Sequence, residues 1–299
     1  MRVFVTGASG WIGSASVTEL IDAGHHVLGL ARSDESAAKV AKLGAEVVRG
    51  SLHDLAGLRA ATERADGVVH MGFQHDFSRL DEAARIDRAA IETFADVLHG
   101  TGCPLLVASG VLGLSQAIGR IGTERDMPDP AMHPRLGNAA YTQTLAGRGV
   151  RSIVVRFAPT VHGSGGDHGF MAALARVARE KGVSAYVGDG ANRWPAVHRL
   201  DAARLVQLAM DKAKPGAVLH AVAEEGIAAR DIAGAIGTYL GLPVERIEAD
   251  QAMAHFGWIG RFFGTDGHAS SALTREWLGW TPTHPGLLAD IAAGHYPGQ

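Results

Sequence analysis

Three groups of residues in this chain have types and spacing suited to chemistry. Thr6-Gly7-Ala8-Ser9-Gly10-Trp11-Ile12-Gly13 sets three glycines three residues apart. Ser109 closes the apolar run Val107-Ala108. Asp167-His168 stands among Gly163, Gly166 and Gly169. The first group follows the short apolar strand Val3–Thr6 and precedes a helical pattern over Ile12–Ala23, which is the context a dinucleotide site requires. Gly7 permits the tight turn, Gly10 lets a pyrophosphate approach the backbone, and Gly13 lets the new helix pack on the strand. The N–H groups of Ser9, Trp11 and Ile12 and the helix dipole then face the phosphates, with Thr6 at the strand end.

The next strand, His26–Leu30, selects the cofactor. Its end is where an acidic residue holds the ribose 2′-OH of NAD. Here the chain reads Ala31-Arg32-Ser33. A guanidinium pairs with a phosphate, and a serine hydroxyl donates to it, so the expectation is NADP(H). The competing reading is that Arg32 is solvated or stacks on adenine.

At a strand end beside a nicotinamide, Ser109 can hydrogen-bond a substrate carbonyl, or it is simply a turn residue before Gly110. His168 beside Asp167 is a candidate proton donor on a flexible loop. Tyr141 offers a phenol, although its setting suits packing equally. His75 and Asp76, after the fourth strand, are substrate-side candidates. So is Asn192-Arg193-Trp194, which groups an amide, a cation and an aromatic face, although Arg193 stacking on Trp194 explains the same run. His198 reads as a hydrogen-bonding support. Phe256, Trp258, Phe262 and Phe263 either roof an apolar pocket or fill a core.

These groups must be held by a sheet. Strand patterns at Glu46–Arg49, Gly67–His70, Leu105–Ala108 and Ile153–Arg156 alternate with helical ones at Ser36–Leu43, Leu55–Arg64 and Leu80–Leu98. Short apolar strands between amphipathic helices predict an α/β fold, a doubly wound parallel sheet of the Rossmann type. Beyond Arg156 the chain becomes irregular, with helices at Met171–Lys181, Asp201–Asp211 and Ala229–Leu240. The expected organisation is a nucleotide-binding domain over 1–160 and a smaller substrate-binding region over 161–299, interleaved with the sheet.

Composition narrows the classes. Among 299 residues the net charge is −3, which offers no footprint for nucleic acid. One cysteine, Cys103, excludes an internal disulfide and a cysteine-based zinc site. No histidine spacing suggests a metal. No apolar run is long enough for a membrane span, and the opening strand leaves no signal peptide, so the expectation is a cytoplasmic protein acting on a small molecule.

Together these motifs resemble the short-chain dehydrogenase/reductase superfamily, in its extended and atypical branch, over nearly the whole chain. Thr6–Gly13 matches T-G-x-x-G-x-x-G. Gly50-Ser51-Leu52 stands for Gly-Asp-Leu beside the adenine, and His70-Met71-Gly72-Phe73 for the turn under the nicotinamide ribose and pyrophosphate. Val155–Gly163 resembles the segment lining the nicotinamide, with Phe157 in it. Trp194–Asp201 resembles the V-H-V-x-D segment of the substrate lobe. The resemblance implies cofactor contacts from Ser51, Leu52, Gly72, Ser109 and Phe157, and a homodimer built on Leu80–Leu98 and Asn138–Gly149. The Tyr-x-x-x-Lys proton relay of the superfamily is absent. Counted back from Arg156, its positions fall near Pro130 and Pro134; Tyr141 is followed four residues on by Leu145, and no lysine lies between Lys42 and Lys181. The first reading is therefore an NADPH-dependent oxidoreductase acting on a small carbonyl or imine, with the proton coming from a histidine, Tyr141 or water. The alternatives are a nucleotide-sugar epimerase or dehydratase, and a non-catalytic NADP-binding regulator.

Overall fold

Alternation of apolar residues along each strand splits the interior in two. Val3 and Val5 of β1 (Arg2–Thr6) enter one core and Phe4 the other. In β5 (Pro104–Gly110), Leu106 faces the first core and Leu105 and Val107 the second. This period of two buries both faces, as a parallel sheet with helices on either side demands. The computed structural model describes residues 1–74, 79–112, 114, 119–130 and 134–296.

Among the described residues, seven strands form one parallel sheet in the order β10-β6-β5-β4-β1-β2-β3. Its other members are β2 (His26–Ala31), β3 (Glu46–Arg49), β4 (Gly67–His70), β6 (Arg151–Phe157) and β10 (Ala217–Ala221). Helix α1 (Trp11–Asp22) covers the first face with Val17 and Leu20. Helix α2 (Asp34–Lys42) follows β2 and adds Val40 to the same core. Helices α3 (Leu55–Glu63) and α4 (Leu80–Val97) cover the second face through Leu58, Ile91 and Phe94. Helix α5 (Pro134–Thr144) packs on α4, and a 3₁₀ turn over Leu145–Arg148 replaces the continuous helix expected to Gly149.

The predicted strands and helices of the first half appear within a few residues of their expected limits. In the second half the three expected helices appear near their expected limits, whereas the strands were not foreseen. There β7 (Thr160–His162), β9 (Arg193–His198) and β11 (Glu224–Ala228) form a small sheet, and β8 (Ser184–Val187) pairs with β12 (Val244–Ile247). Helices α6 (Phe170–Lys181) and α8 (Ala229–Leu240) pack there around Trp194. The chain also returns to the large sheet. Helix α7 (Arg199–Lys212) packs on α1, and β10 pairs with β6, so residues beyond 160 complete the first unit. Among the described residues no helix is long and apolar enough to cross a membrane.

Candidate active site

A cleft of about 1320 Å³ runs along the C-terminal ends of the strands. It opens where the strand order reverses between β1 and β4, the place where an open α/β sheet binds ligands. The strand ends are level there: Thr6 stands opposite His70, and Ser109 opposite Arg156.

The floor at one end is the predicted glycine turn; Gly7, Ser9, Gly10, Trp11, Ile12 and Gly13 all line it. Gly7 has φ +72°, and a Cβ there would lie 2.8 Å from the Gly72 nitrogen. A Cβ on Gly13 would fall 1.9 Å from the Gly7 oxygen, so this position must be bare for α1 to meet the strand. At Gly10 the Gly7 oxygen alone comes near, at 3.2 Å, and the rest of that space belongs to the cleft. Gly10 caps α1 without a side-chain bond, and the first turn holds no acidic residue. The turn therefore keeps N–H groups and a bare approach for an anion, which fits a dinucleotide pyrophosphate. Arg32, Ser51, Leu52, Gly72 and Phe157 also line the cleft.

Thr6 lies just beneath the cleft, where its hydroxyl oxygen accepts from the Gly72 N–H at 3.0 Å. Asp87 lies 3.1 Å from His70 Nε2, and His70 Nδ1 lies 2.7 Å from the Thr6 hydroxyl, within hydrogen-bond distance on both sides of the ring. Asn138 Nδ2 donates to the other Asp87 oxygen at 2.6 Å. Burial opposes charge on Asp87, but His70 and the nearby Arg135 guanidinium hold its carboxyl below the usual carboxylate range. This chain of bonds fixes the glycine turn to α5.

The other end of the cleft is apolar and aromatic. Phe170 meets Trp194, Trp258 and Phe262 at ring distances of 5.2, 5.3 and 5.8 Å. Of these, Phe170, Trp258 and Phe262 line the cleft, with Leu112 and Leu136. Between the two ends stand Ser109 and Gly110, with Asp167 and His168 on the rim. Burial pushes the Asp167 carboxyl up, against the Gly169 N–H donated to it at 2.6 Å. Arg156 forms part of the wall, donating to the Asp126 carbonyl at 2.8 Å and to His220 Nε2 at 3.3 Å. Its guanidinium is pushed down to about 10, chiefly by burial.

Several expected site residues lie elsewhere. The Ser33 hydroxyl accepts from the Ser36 N–H and caps α2, and Ser36 rather than Ser33 lines the cleft. Tyr141 is turned away from the cleft: its ring lies under the Arg88 guanidinium at 3.5 Å, and its hydroxyl faces Arg148 Nη1 at 3.4 Å. Asn192 donates to the Phe263 and Thr265 carbonyls, and buried Trp194 donates to the Thr265 carbonyl. The Arg193 N–H donates to Asp266. These three residues hold the loop behind the roof, so they position Trp258 and Phe262 rather than line the cleft themselves. Phe256 and Phe263 are buried core residues. His75 lies outside the described residues.

The family model for the NAD dependent epimerase/dehydratase family matches residues 3–223. The chain belongs to this family. A protein of Schizosaccharomyces pombe, uncharacterized, is 46% identical over 99% of this chain and 100% of its own length. A 2-alkyl-3-oxoalkanoate reductase of Stenotrophomonas maltophilia is 24% identical over 73% of this chain and 67% of its own. Among solved structures, UDP-glucose 4-epimerase from Thermotoga maritima with UDP-glucose superposes with a TM-score of 0.79 at 18% identity, covering 100% of this chain and 98% of that one.

Within this epimerase/dehydratase fold the cleft near Ser109 has an unexpected cation. Pro134, one of the positions counted back from Arg156, opens α5 and does not line the cleft. The next residue, Arg135, does. Its guanidinium carbon lies 4.2 Å over the Phe73 ring, and Nη2 lies 3.5 Å from the Ala108 carbonyl. The sequence reading did not single it out. It missed Phe170 as a lining residue because nothing in its local pattern says which loop folds over the sheet.

Proposed function

We propose that the protein is an NADPH-dependent oxidoreductase that delivers hydride to a small carbonyl or imine substrate. The observation that carries this reading is the continuity of one cleft. It begins at the glycine turn and Arg32, passes Ser109, and ends under the aromatic roof with His168 on its rim. The glycine turn would hold the pyrophosphate, Arg32 and Ser36 the 2′-phosphate, Ser51 and Leu52 the adenine side, and Phe157 the nicotinamide side. Bound reduced nicotinamide supplies the hydride. Ser109 hydrogen-bonds the acceptor oxygen and fixes its orientation. His168 gives that oxygen its proton, a role of which Tyr141 is relieved by its contacts with Arg88 and Arg148. The roof excludes water from the acceptor.

Epimerase or dehydratase action on a sugar nucleotide is the second reading, favoured by the family to which the chain belongs. Against it stands the lack of a Tyr-x-x-x-Lys relay, on which proton removal in those reactions depends. The test is cofactor oxidation, followed with NADPH and NADH over a panel of aryl and alkyl carbonyls and cyclic imines. Turnover with NADPH supports the reading. Reduction of bound cofactor by UDP-glucose alone replaces it with the second. Tight NADPH binding without turnover on any substrate replaces it with a regulator.

A further inference from the structure

Arg135 is a charged group in a place that gives charge unusual weight. It stands on the first turn of α5, half-buried, with Leu136 beside it and the Phe73 ring against its guanidinium. Its Nη2 reaches to the carbonyl of Ala108, the residue that precedes Ser109 at the strand end. Asp87 supplies an opposite charge, but that carboxylate already accepts from His70 and Asn138. Burial against apolar neighbours weakens the competition of water for the guanidinium. The stacking on Phe73 and the reach to Ala108 fix its plane. Arginine, unlike lysine, keeps its charge in such surroundings.

We propose that Arg135 is a catalytic residue: its guanidinium binds the oxygen of the acceptor and stabilises the negative charge that develops there. This rests on the oxidoreductase reading. The carbonyl carbon gains hydride from reduced cofactor, the π pair moves onto oxygen, and that oxygen takes a proton from His168 or water. Arg135 gives up no proton; it lowers the energy of the alkoxide-like transition state, as a preorganised oxyanion donor does. Nearby Ser109 supplies the second donor. The apolar lining at this end is Leu112, Leu136, Phe170, Trp258 and Phe262, and Arg156 and Arg261 line the same cleft. The substrate class is therefore a carbonyl compound with an apolar, preferably aromatic body and one oxygen that gains charge.

The experiment compares wild type with Arg135→Lys, Arg135→Met and Arg135→Ala in two ways. The first is kcat for an aryl ketone or aldehyde with NADPH. The second is binding of benzoate to the cofactor-free protein, followed by tryptophan fluorescence and calorimetry. Benzoate carries the flat apolar body and an anionic oxygen. Expected results are a fall in kcat of about 10²-fold for Arg135→Met with NADPH affinity retained, and weaker benzoate binding by about tenfold or more. Added methylguanidinium should restore part of the Arg135→Ala rate. Arg135→Lys, which keeps charge beside Asp87 and so protects the fold, should lose rate while keeping the wild-type melting temperature. Wild-type kcat and wild-type benzoate affinity in Arg135→Met overturn the proposal while leaving the oxidoreductase reading in place. No turnover by wild type, with benzoate binding still dependent on Arg135, overturns the oxidoreductase reading and the catalytic role, leaving an anion site. If the methionine and alanine variants fail to fold, wild-type kcat and benzoate affinity in Arg135→Lys overturn the proposal.

Discussion

The two ends of the cleft are built from different material. The nucleotide end is made of backbone: the turn Gly7–Gly13 presents N–H groups, and glycines are there because Cβ atoms would collide or block. The reacting end is made of side chains drawn from β5, α5, the loop before α6, and the short helical turns over 257–263 with Thr265 after them. A backbone site is local in sequence and tolerates any neighbour that keeps the turn. A side-chain site depends on every element that aims a residue at it. The first end is thus readable from a short motif, whereas the second is assembled only by the fold.

The largest expected effect tests whether the backbone end is a ligand site as well as a turn. Gly10→Val should abolish NADPH binding in a fluorescence titration while the melting temperature stays within a few degrees of wild type. Gly13→Val should prevent folding, because its Cβ would lie 1.9 Å from the Gly7 oxygen. Unchanged affinity in folded Gly10→Val would break the comparison at its stronger side.

Next in size is an acid effect carried by two buried histidines away from the glycine turn. Burial pushes His198 and His220 down to about 4. Between pH 6.5 and 4 the unfolded chain binds protons there that the folded chain refuses, so stability rises with pH across this window and levels off above it. His220 alone accounts for roughly 3 kcal/mol. Melting curves from pH 4 to 8 should show this loss on acidification, and His220→Gln should flatten it.

Arg32→Ala should weaken NADPH by about 1.5–3 kcal/mol and leave NADH little changed, the scale of a charged hydrogen bond. Equal loss for both cofactors would remove the 2′-phosphate assignment. His168→Ala should lower kcat by about 10²-fold with NADPH affinity intact. Tyr141→Phe should change kcat least of all, since its hydroxyl faces Arg148. A large fall in that variant would mean that α5 presents a different face to substrate than the one described.

How far the sequence could be read follows the same division. The strands Val3–Thr6 and Gly67–His70 and the glycine turn between strand and helix were legible because period and spacing are local properties. Ser109 and His168 were legible as residues at a strand end and on a glycine-rich loop. Arg135 was not, since no local pattern in α5 says which of its side chains meets the cleft. Asn192, Arg193 and Trp194 look like a recognition set in sequence, yet the Asn192 amide and the Trp194 indole donate to carbonyls of Phe263 and Thr265, and the Arg193 backbone N–H to Asp266, which no local pattern reveals. Ser33 has the right type for a phosphate contact, but it opens a helix, and capping claims its hydroxyl.

The packing of α7 on α1 bears on how the chain is made. Arg199 donates to the Ser14 hydroxyl from 185 residues away, and Ala202, Leu205 and Val206 join Val17 and Leu20 in one core. During synthesis the face of α1 that carries Val17 and Leu20 therefore stays open until residue 212 has emerged, and the sheet lacks its β10 edge until residue 221. Contacts of such long sequence separation slow folding and prolong exposure of apolar surface. A fragment ending at residue 160 should accumulate as aggregate, whereas one ending beyond β10 should remain dispersed. The stretch in between acts as an intramolecular cover for the half made first.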